Sequence, residues 1–171
     1  TVVSVGVDKL AKADLVSAQM IFVADEKRIN DMALSPGGDQ LATACEDGSV
    51  KVWNTGNGQP IRAFAGHQGP ALSVAIARNN QQIATGGADK NLIIWNFGNA
   101  QPQQKIVTPD AVRSLAWSAD SKKLVAAGGD HALRSYDPTP PNPQPQEPPT
   151  QSPAQTMTGH AGAVTGLAFA P

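Results

Sequence analysis

Histidine and aspartate side chains are the residues of this 171-residue chain that could carry out proton transfer or hold a metal ion. His67 lies upstream of Asp89, and His131 directly follows Asp130. A histidine beside a carboxylate can act as an acid–base pair, and a group of histidines can bind a transition metal. The three histidines fall in separate segments of the chain, however, so no shared metal ion is expected. His131 is expected to be an exposed polar residue of a turn.

Other signatures of chemistry are absent from the sequence. There is no phosphate-binding G-x-x-x-x-G-K-[ST], no G-x-G-x-x-G after a predicted strand and no H-E-x-x-H. Cys45 is the single cysteine, which excludes an internal disulfide and a thiolate metal cage. Its surroundings, "LATACEDG", predict a small buried side chain in a strand. The sequence predicts no cofactor and no catalytic residue.

The aspartates belong to an internal repeat. Turn aspartates recur at intervals of 39, 42 and 41 residues, at Asp8, Asp47, Asp89 and Asp130. An aromatic residue follows three of them after six residues, whereas Ala13 follows Asp8 after five; the aromatic residues are Trp53, Trp95 and Tyr136. Such a period indicates one supersecondary unit per repeat.

Short β-strands are the elements that this repeat predicts. Val, Ile and Leu alternate with small residues between polar turns, and no helical period of useful length is present. Segments such as "LIIW" and "ALSVAIA" are apolar on both faces, which favours sheets packed face to face. Four short strands in each repeat of about 40 residues indicate an all-β propeller built from four-stranded antiparallel blades.

The motifs resemble those of the WD40 repeat family. "TGHAGAVTGLAFAP", "AGHQGPALSVAIARNNQQIATGGADKNLIIWN" and "LATACEDGSVKVWN" combine Gly-His, the turn aspartate and the terminal tryptophan at the right intervals. The resemblance covers essentially the whole chain and implies one WD40-type β-propeller domain over residues 1–171. It also implies a hydrogen-bonded structural network, complete in one repeat only, of His67, Thr85, Asp89 and Trp95. Trp95 is then a structural latch, and catalysis by His67 and Asp89 is not expected.

The other repeats depart from this pattern. Thr43, Asp47 and Trp53 lack a histidine, because the Gly-His site reads Arg28-Ile29 or nearby. Asp130 and Tyr136 have Ala126 in place of the hydroxyl residue, and Thr108-Pro109 in place of Gly-His. His160 has a Gly-His context and would fall into register with Ser4 and Asp8, with Ala13 in the tryptophan position. These repeats are expected to rely more on apolar packing.

The ends of the chain predict an incomplete ring. The chain opens with two predicted strands, "TVVSVGV" and "LAKADL", and closes on a predicted inner strand before Pro171, so its four blades' worth of sheet starts and ends mid-blade. Three assemblies would resolve this: two chains closing an eight-bladed ring, an excerpt of a longer propeller, or one four-bladed ring. The homodimer is preferred, because unpaired half-blades would expose apolar edges. Thr1 in place of a methionine indicates a trimmed chain or a fragment.

A proline-rich insert interrupts the last repeat at residues 138–155, "PTPPNPQPQEPPTQSPAQ". This composition favours extended polyproline II with a solvated backbone, and we interpret the insert as a surface spacer. The alternative is a ligand for a proline-binding domain, since P-x-x-P spacings occur. The absence of arginine and lysine within the insert weakens that alternative.

A non-catalytic protein-interaction scaffold is the function that the resemblance implies, with a protein or peptide as ligand. A net charge of −1 and the lack of an 18-residue apolar run disfavour nucleic-acid and membrane partners. The alternatives are a propeller enzyme, for which the predicted inner strands offer only Asp31 and Arg113 as charged residues, and a sensor domain of a larger bacterial protein. The compartment is unknown. Positional inference places candidate contact residues on one face around the channel mouth: Arg28, Asn30, Gln68, Lys90, Asp110, Arg113 and His131.

Overall fold

The computed structural model describes residues 27–139 and 153–168 in full, together with the backbone of three strands between residues 2 and 23. Within these residues the regular secondary structure consists of β-strands, which form three four-stranded antiparallel sheets and one three-stranded sheet. The all-β propeller prediction is therefore confirmed, with three complete blades in the described part of the chain.

The strands follow the chain order within each sheet. The three-stranded sheet contains β1 (Val2–Val5), β2 (Leu10–Leu15) and β3 (Ala18–Val23). Each blade begins with its inner strand. Blade 1 is β4 (Ile29–Leu34), β5 (Gln40–Cys45), β6 (Val50–Asn54) and β7 (Pro60–Phe64); blade 2 is β8 (Ala71–Ile76), β9 (Gln82–Gly87), β10 (Asn91–Asn96) and β11 (Pro102–Val107); blade 3 is β12 (Val112–Trp117), β13 (Leu124–Gly128), β14 (Leu133–Tyr136) and β15 (Gln155–Met157).

The two ends of the chain differ from the prediction. The opening sheet has three strands rather than two, because β3, "AQMIFV", pairs with β2. The predicted inner strand near the other end is not formed within residues 163–168, although the Val164 N–H donates to the carbonyl of Gly128, the last residue of β13, at 3.2 Å. A strand needs a partner to satisfy its backbone groups, and none of the described strands pairs with this segment.

The core lies between blades rather than within one sheet. Val52, Phe64, Ile83 and Trp95 share one buried cluster that joins blades 1 and 2, and a second cluster joins blades 2 and 3. Strand β10 accordingly buries four consecutive residues, "LIIW". Burial on both faces explains why these strands are continuous apolar runs instead of alternating patterns.

A β-bulge recurs at the start of every inner strand of the three blades. The register of pairing shifts between Ile29 and Asp31, between Ala71 and Ser73, and between Val112 and Ser114. One residue of each inner strand is thereby left out of the ladder, and these residues are Asn30, Leu72 and Arg113. A bulge of this kind locally disrupts the ladder and re-aims side chains. The sequence analysis did not anticipate the bulges.

Polar side chains join neighbouring blades. The Trp117 indole N–H donates to Ala75 O at 3.0 Å, and the Ser73 hydroxyl donates to Val112 O at 3.2 Å. The Arg62 guanidinium donates to Phe97 O across the first interface between blades. Each of these bonds satisfies a backbone carbonyl where two sheets meet, so it fixes the relative position of the blades as well as contributing to stability.

Candidate functional site

Blade 2 brings four polar side chains into one hydrogen-bonded chain. His67 Nδ1 lies 3.0 Å from Asp89 Oδ1, and His67 Nε2 lies 2.8 Å from Thr85 Oγ1. The Trp95 indole N–H donates to the same Thr85 oxygen at 2.9 Å. The β9–β10 register places Thr85 opposite Ile93, so Trp95, two residues further along β10, shares the face of Thr85.

The direction of each hydrogen bond follows from the donors available. The indole N–H of Trp95 can only donate, so Thr85 Oγ1 accepts from it and turns its own proton toward His67 Nε2. His67 Nδ1 then carries the imidazole proton and donates it to Asp89. Each of the four side chains therefore has a hydrogen-bond partner of the donor or acceptor type that it needs. The His67 side chain is 1% exposed.

Asp89 is held ionised by its surroundings. Burial opposes ionisation, but hydrogen bonds from the Gln68 backbone N–H, the Asn91 side chain and His67 outweigh it and lower the pKa of Asp89 to about 2. Gln68 N–H and Asn91 Nδ2 lie 3.0 and 2.8 Å from Asp89 Oδ2. Asn91 is a partner that the sequence analysis missed, although an asparagine two residues after a turn aspartate is a common signal of local capping.

The hydroxyl, imidazole and carboxylate have the connectivity of a hydrolytic triad. Thr85 is nevertheless fully buried, and its oxygen already accepts a hydrogen bond from the Trp95 indole. A nucleophile must reach a substrate carbonyl, and no substrate can approach an oxygen enclosed on all sides. The arrangement is therefore suited to holding two strands and a loop together, and the role of Trp95 as a latch is a prediction that denaturation tests.

Glycine makes room for the histidine. A Cβ at position 87 would lie 2.5 Å from His67 Nδ1, and a Cβ at position 66 would lie 2.7 Å from the Trp95 ring. Both distances are shorter than nonbonded atoms tolerate, so the two glycines are steric requirements of this arrangement.

Blade 1 has a smaller version of the network. The Trp53 indole N–H donates to Thr43 Oγ1 at 3.0 Å, and the Thr43 hydroxyl donates to Lys51 O at 3.4 Å. Cys45 occupies the register position of Gly87, and its Sγ lies 4.0 Å from Thr43 Oγ1. The cysteine is fully buried, as the sequence predicted.

Two assignments in blade 1 are corrected. Asp47 is exposed and accepts the N–H and the hydroxyl of Ser49, at 2.9 and 2.7 Å, instead of joining Thr43 and Trp53. Ile29, assigned to the Gly-His site with Arg28, is a buried strand residue that pairs with Cys45, whereas Arg28 is exposed. Counting back four residues from the strand start, as from Ala71 to His67, the equivalent position falls at residue 25, outside the described residues.

Blade 3 replaces the network with an ion pair. Arg134 Nη1 lies 2.6 Å from Asp130 Oδ2, with the two side chains 17% and 21% exposed. Ala126 supplies no hydroxyl, and the Thr108 hydroxyl contacts the carbonyls of Lys90 and Asp110, both at 2.8 Å. Arg134 lies four residues after Asp130, and the sequence analysis did not single it out.

Of the remaining network residues, the structure describes His160 alone in full. His160 is exposed, and the Asp8 position assigned to it lies outside the described residues, as does the side chain of Ser4. The greater part of the proline-rich insert, residues 140–152, also lies outside the described residues. At its start, Pro138 is buried and Thr139 is exposed.

The candidate contact residues lie at the ends of strands on the side of the ring that carries His67 and the Gly/Asp turns. Asn30 and Asp110 are half-buried, and Asn30 Nδ2 contacts Glu46 Oε2 at 3.0 Å and Ala71 O at 2.9 Å. Lys90 and His131 have positive φ angles of 61° and 63°, which place both residues in turns as expected for His131. The exposed members of the set are Arg28, Gln68, Lys90, Arg113 and His131.

A cleft of about 610 Å³ follows the inner strands β4, β8 and β12. Asp31 and Arg78 are the charged residues among its described lining, and Arg113 is not part of it. Burial raises the pKa of Asp31, although the backbone N–H groups of Val74 and Met32 oppose that rise. Those groups lie 2.9 and 2.8 Å from its two carboxylate oxygens, so Asp31 links blade 1 to blade 2.

A family model described as WD domain, G-beta repeat matches residues 17–54, 58–96 and 101–137, well over half of the chain. The chain belongs to the WD40 repeat family. The three matched ranges correspond to the repeats deduced from the turn aspartates and end near Trp53, Trp95 and Tyr136. The family resemblance proposed from the motifs is thus confirmed.

Other WD40 proteins resemble the chain over parts of their length. Periodic tryptophan protein 2 homolog of Dictyostelium discoideum is 46% identical over 46 residues, which are 27% of this chain and 5% of that protein. Striatin-4 of Homo sapiens is 29% identical over 134 residues, covering 65% of this chain and 18% of that protein. The chain thus spans less than a fifth of either relative. Both relatives are eukaryotic, which gives no support to the expected bacterial origin.

Solved WD40 structures share the fold. A structure of U3-55K and a crystal structure of RRP9 WD40 repeats each match with a TM-score of 0.73 at 21% sequence identity. Each match covers 83% of this chain and 42% of the solved chain. At this identity the likeness shows the fold alone.

The described residues contain neither a metal-binding cluster nor a membrane-spanning helix. Across residues 27–139 and 153–168, no three His, Cys, Asp or Glu side chains converge in a way that would hold a metal ion. In the part of the chain that the structure describes, no helix has the length and apolar character needed to cross a membrane.

Proposed function

We propose that this WD40 chain is a non-catalytic scaffold that binds a protein or peptide on the face carrying His67. The observation that supports this most directly is the contrast between two sets of polar residues. The hydroxyl–imidazole–carboxylate set of blade 2 is buried and internally satisfied. Arg28, Lys90 and Arg113 on the same side of the ring are exposed.

This face offers mixed charge around a rigid frame. Its basic side chains stand beside Glu46 and Asp47, which are also exposed. Exposed charges at the rim of an interface influence association rate and partner choice more than total affinity. The natural ligand is therefore expected to carry charges of both signs, and the residues of this face are expected to determine which proteins bind.

Charge reversal on this face tests the proposal. A triple variant, Arg28→Glu, Lys90→Glu and Arg113→Glu, should lose the proteins that the wild-type chain captures from a cell extract, as measured by quantitative mass spectrometry. The control reverses two exposed charges that lie away from this face: Lys105→Glu and Lys123→Glu. Equal retention of the same proteins by both folded variants would contradict the proposed face.

An enzymatic role for the central cleft is the competing hypothesis, and Asp31 is the residue it would need. Both of its carboxylate oxygens accept backbone N–H groups, which supports a structural role for this side chain. Reproducible turnover in a broad hydrolase screen, abolished by Asp31→Ala in a variant that still folds, would overturn the scaffold proposal.

We also propose that two copies of the chain associate through their incomplete sheets. Two observations in the described residues support this: β1 is an edge strand of a three-stranded sheet, and residues 163–168 pair with no strand. Pairing this segment with β1 of a second copy would complete one blade at each of two symmetric contacts. Static light scattering should then give twice the 17.7 kDa chain mass. A folded monomer in dilute solution would exclude this assembly.

A further inference from the structure

A second cleft, of about 540 Å³, lies between blades 2 and 3 on the side of the ring opposite His67. It is formed by the loops that follow β8, β10 and β12. Six of its lining residues carry side-chain amides, and we call it the amide cleft: Asn79, Asn80, Gln81, Gln82, Asn96 and Gln103. No described residue that lines it carries a carboxylate.

Two amides of this cleft, those of Asn79 and Asn96, have their acceptors occupied. Asn79 Oδ1 accepts the Gln81 N–H at 2.9 Å, and Asn96 Oδ1 accepts the N–H groups of Gly98 and Asn99 at 2.8 and 3.2 Å. These turns fix the orientation of both amides. The side-chain nitrogens of Asn79 and Asn96 have no hydrogen-bond partner among the described residues, so they are available to donate.

Gln103 likewise has its side-chain acceptor occupied and its side-chain donor free. Its Oε1 accepts from Gln82 Nε2 at 2.9 Å, while its own Nε2 has no partner within the described part of the chain. Lys122 adds an ammonium group, which is also a donor. The amide cleft thus presents free hydrogen-bond donors from Asn79, Asn96, Gln103 and Lys122, and it matches a ligand that offers several acceptors.

One edge of the cleft already holds backbone of this kind. Gln82 Nε2 donates to Pro138 O at 3.1 Å. Gln104, which is 4% exposed, donates its side-chain N–H to Thr139 O at 2.7 Å. Two glutamines from blade 2 therefore donate hydrogen bonds to consecutive backbone carbonyls of a proline-containing segment.

We propose that the amide cleft binds a proline-rich segment of a partner protein in the polyproline II conformation. Such a segment makes no internal hydrogen bonds, so its carbonyls are free, and proline has no N–H to leave unsatisfied. Its extended form is largely preorganised, which reduces the entropy lost on binding. The site is on the opposite side of the ring from the face of the proposed function, so each can fail independently.

A titration of the full chain tests the site. With ¹⁵N-labelled protein, a synthetic oligoproline peptide should produce saturable shifts in the side-chain amide signals of Asn79, Asn96 and Gln103. A flexible Gly/Ser peptide of equal length serves as the control ligand, because it carries N–H groups and lacks the polyproline conformation. It should leave these signals unchanged at the same concentration.

Two matched double variants locate the donors. The double variant Asn79→Asp and Asn96→Asp removes the free amide N–H donors of these two residues and keeps the side-chain oxygen that each turn requires. The peptide should therefore bind at least about tenfold more weakly. The control places the same change in blade 1, as Asn54→Asp with Asn57→Asp. There Asn54 Oδ1 accepts Gly56 and Asn57 N–H at 2.8 and 3.2 Å, and Asn57 Oδ1 accepts Gln59 N–H at 3.0 Å. The control variant should bind like the wild type.

Three results would overturn the proposal. The first is the absence of saturable shifts both in the full chain and in a chain lacking residues 142–153. The second is equal binding by the two double variants; if the cleft variant does not fold, Asn96→Asp alone is compared with Asn54→Asp alone. The third is binding only after the deletion, which would assign the cleft to the chain's own insert instead of a partner.

Discussion

Cys45 and Gly87 occupy the same register position at the ends of β5 and β9, and only the glycine leaves room for a histidine. In blade 2 the space beside Gly87 is taken by His67 and Asp89. In blade 1 the same register position carries Cys45, whose sulfur lies 4.0 Å from Thr43 Oγ1. Both blades contain a buried threonine that accepts a tryptophan N–H, and they differ in the side chain that lies next to that threonine.

The His67–Asp89 pair should contribute more to stability than the ion pair of blade 3. His67→Ala or Asp89→Ala strands buried polar partners and should lower the free energy of unfolding by about 1–3 kcal/mol. Asp130→Ala should cost less, because Asp130 has no histidine or hydroxyl partner in blade 3 and contacts only Arg134 and the Ala132 N–H among the described residues. Urea denaturation compares the three variants. Equal losses would show that the buried network has no special role.

The contribution of Asp89 should depend on pH. The pKa of Asp89 is lowered to about 2 in the folded chain, whereas its ordinary value is 3.8. Its ionised form therefore stabilises the fold fully above about pH 5, and this stabilisation, about 1–2 kcal/mol after allowance for screening by solvent, is lost as pH falls toward 2. The difference in unfolding free energy between the wild type and Asp89→Asn should shrink over this range. The same change at exposed Asp47 is the control, and a difference that stays constant with pH would contradict the assignment.

Gly87→Ala should destabilise the chain through a clash with its own network. The added methyl group would lie 2.5 Å from His67 Nδ1, so we expect a cost of about 1–3 kcal/mol. The added group would lie even closer to Asp89 Oδ1, so the cost should be only partly relieved in a His67→Ala background, and a double-mutant cycle measures this coupling. Gly162→Ala is the control, since no atom lies within 4 Å of the added group. Strict additivity of the two changes would refute the steric explanation.

Shortening the proline-rich insert should hardly affect stability. Deletion of residues 142–153 leaves the carbonyl contacts of Pro138 and Thr139 in place. Changes in loop length cost on the order of 0.6 kcal/mol per doubling. The thermal midpoint should therefore move by no more than about 2–3 °C in calorimetry. A larger fall would show that the deleted residues pack on the propeller.

The sequence by itself determined the repeat, the strand character and the set of residues at which a network could form. Turn aspartates at regular intervals, and apolar runs between polar turns, report local conformation and burial, which neighbouring residues largely dictate. A contact between Thr85 and Trp95 could be predicted from the sequence, because both residues lie in one hairpin. His67 and Asp89 could be added from the family motif.

Tertiary structure alone decided which blades use that network and what replaces it elsewhere. Asp47 turns to solvent while Asp130 pairs with Arg134, although both occupy the same position in the repeat. The strand β3, the bulges at the start of the inner strands and the amide cleft likewise depend on how sheets pair and pack. The amide cleft joins residues far apart in sequence, from blade 2 and blade 3, and the other features depend on side-chain and strand geometry that residue types alone do not specify.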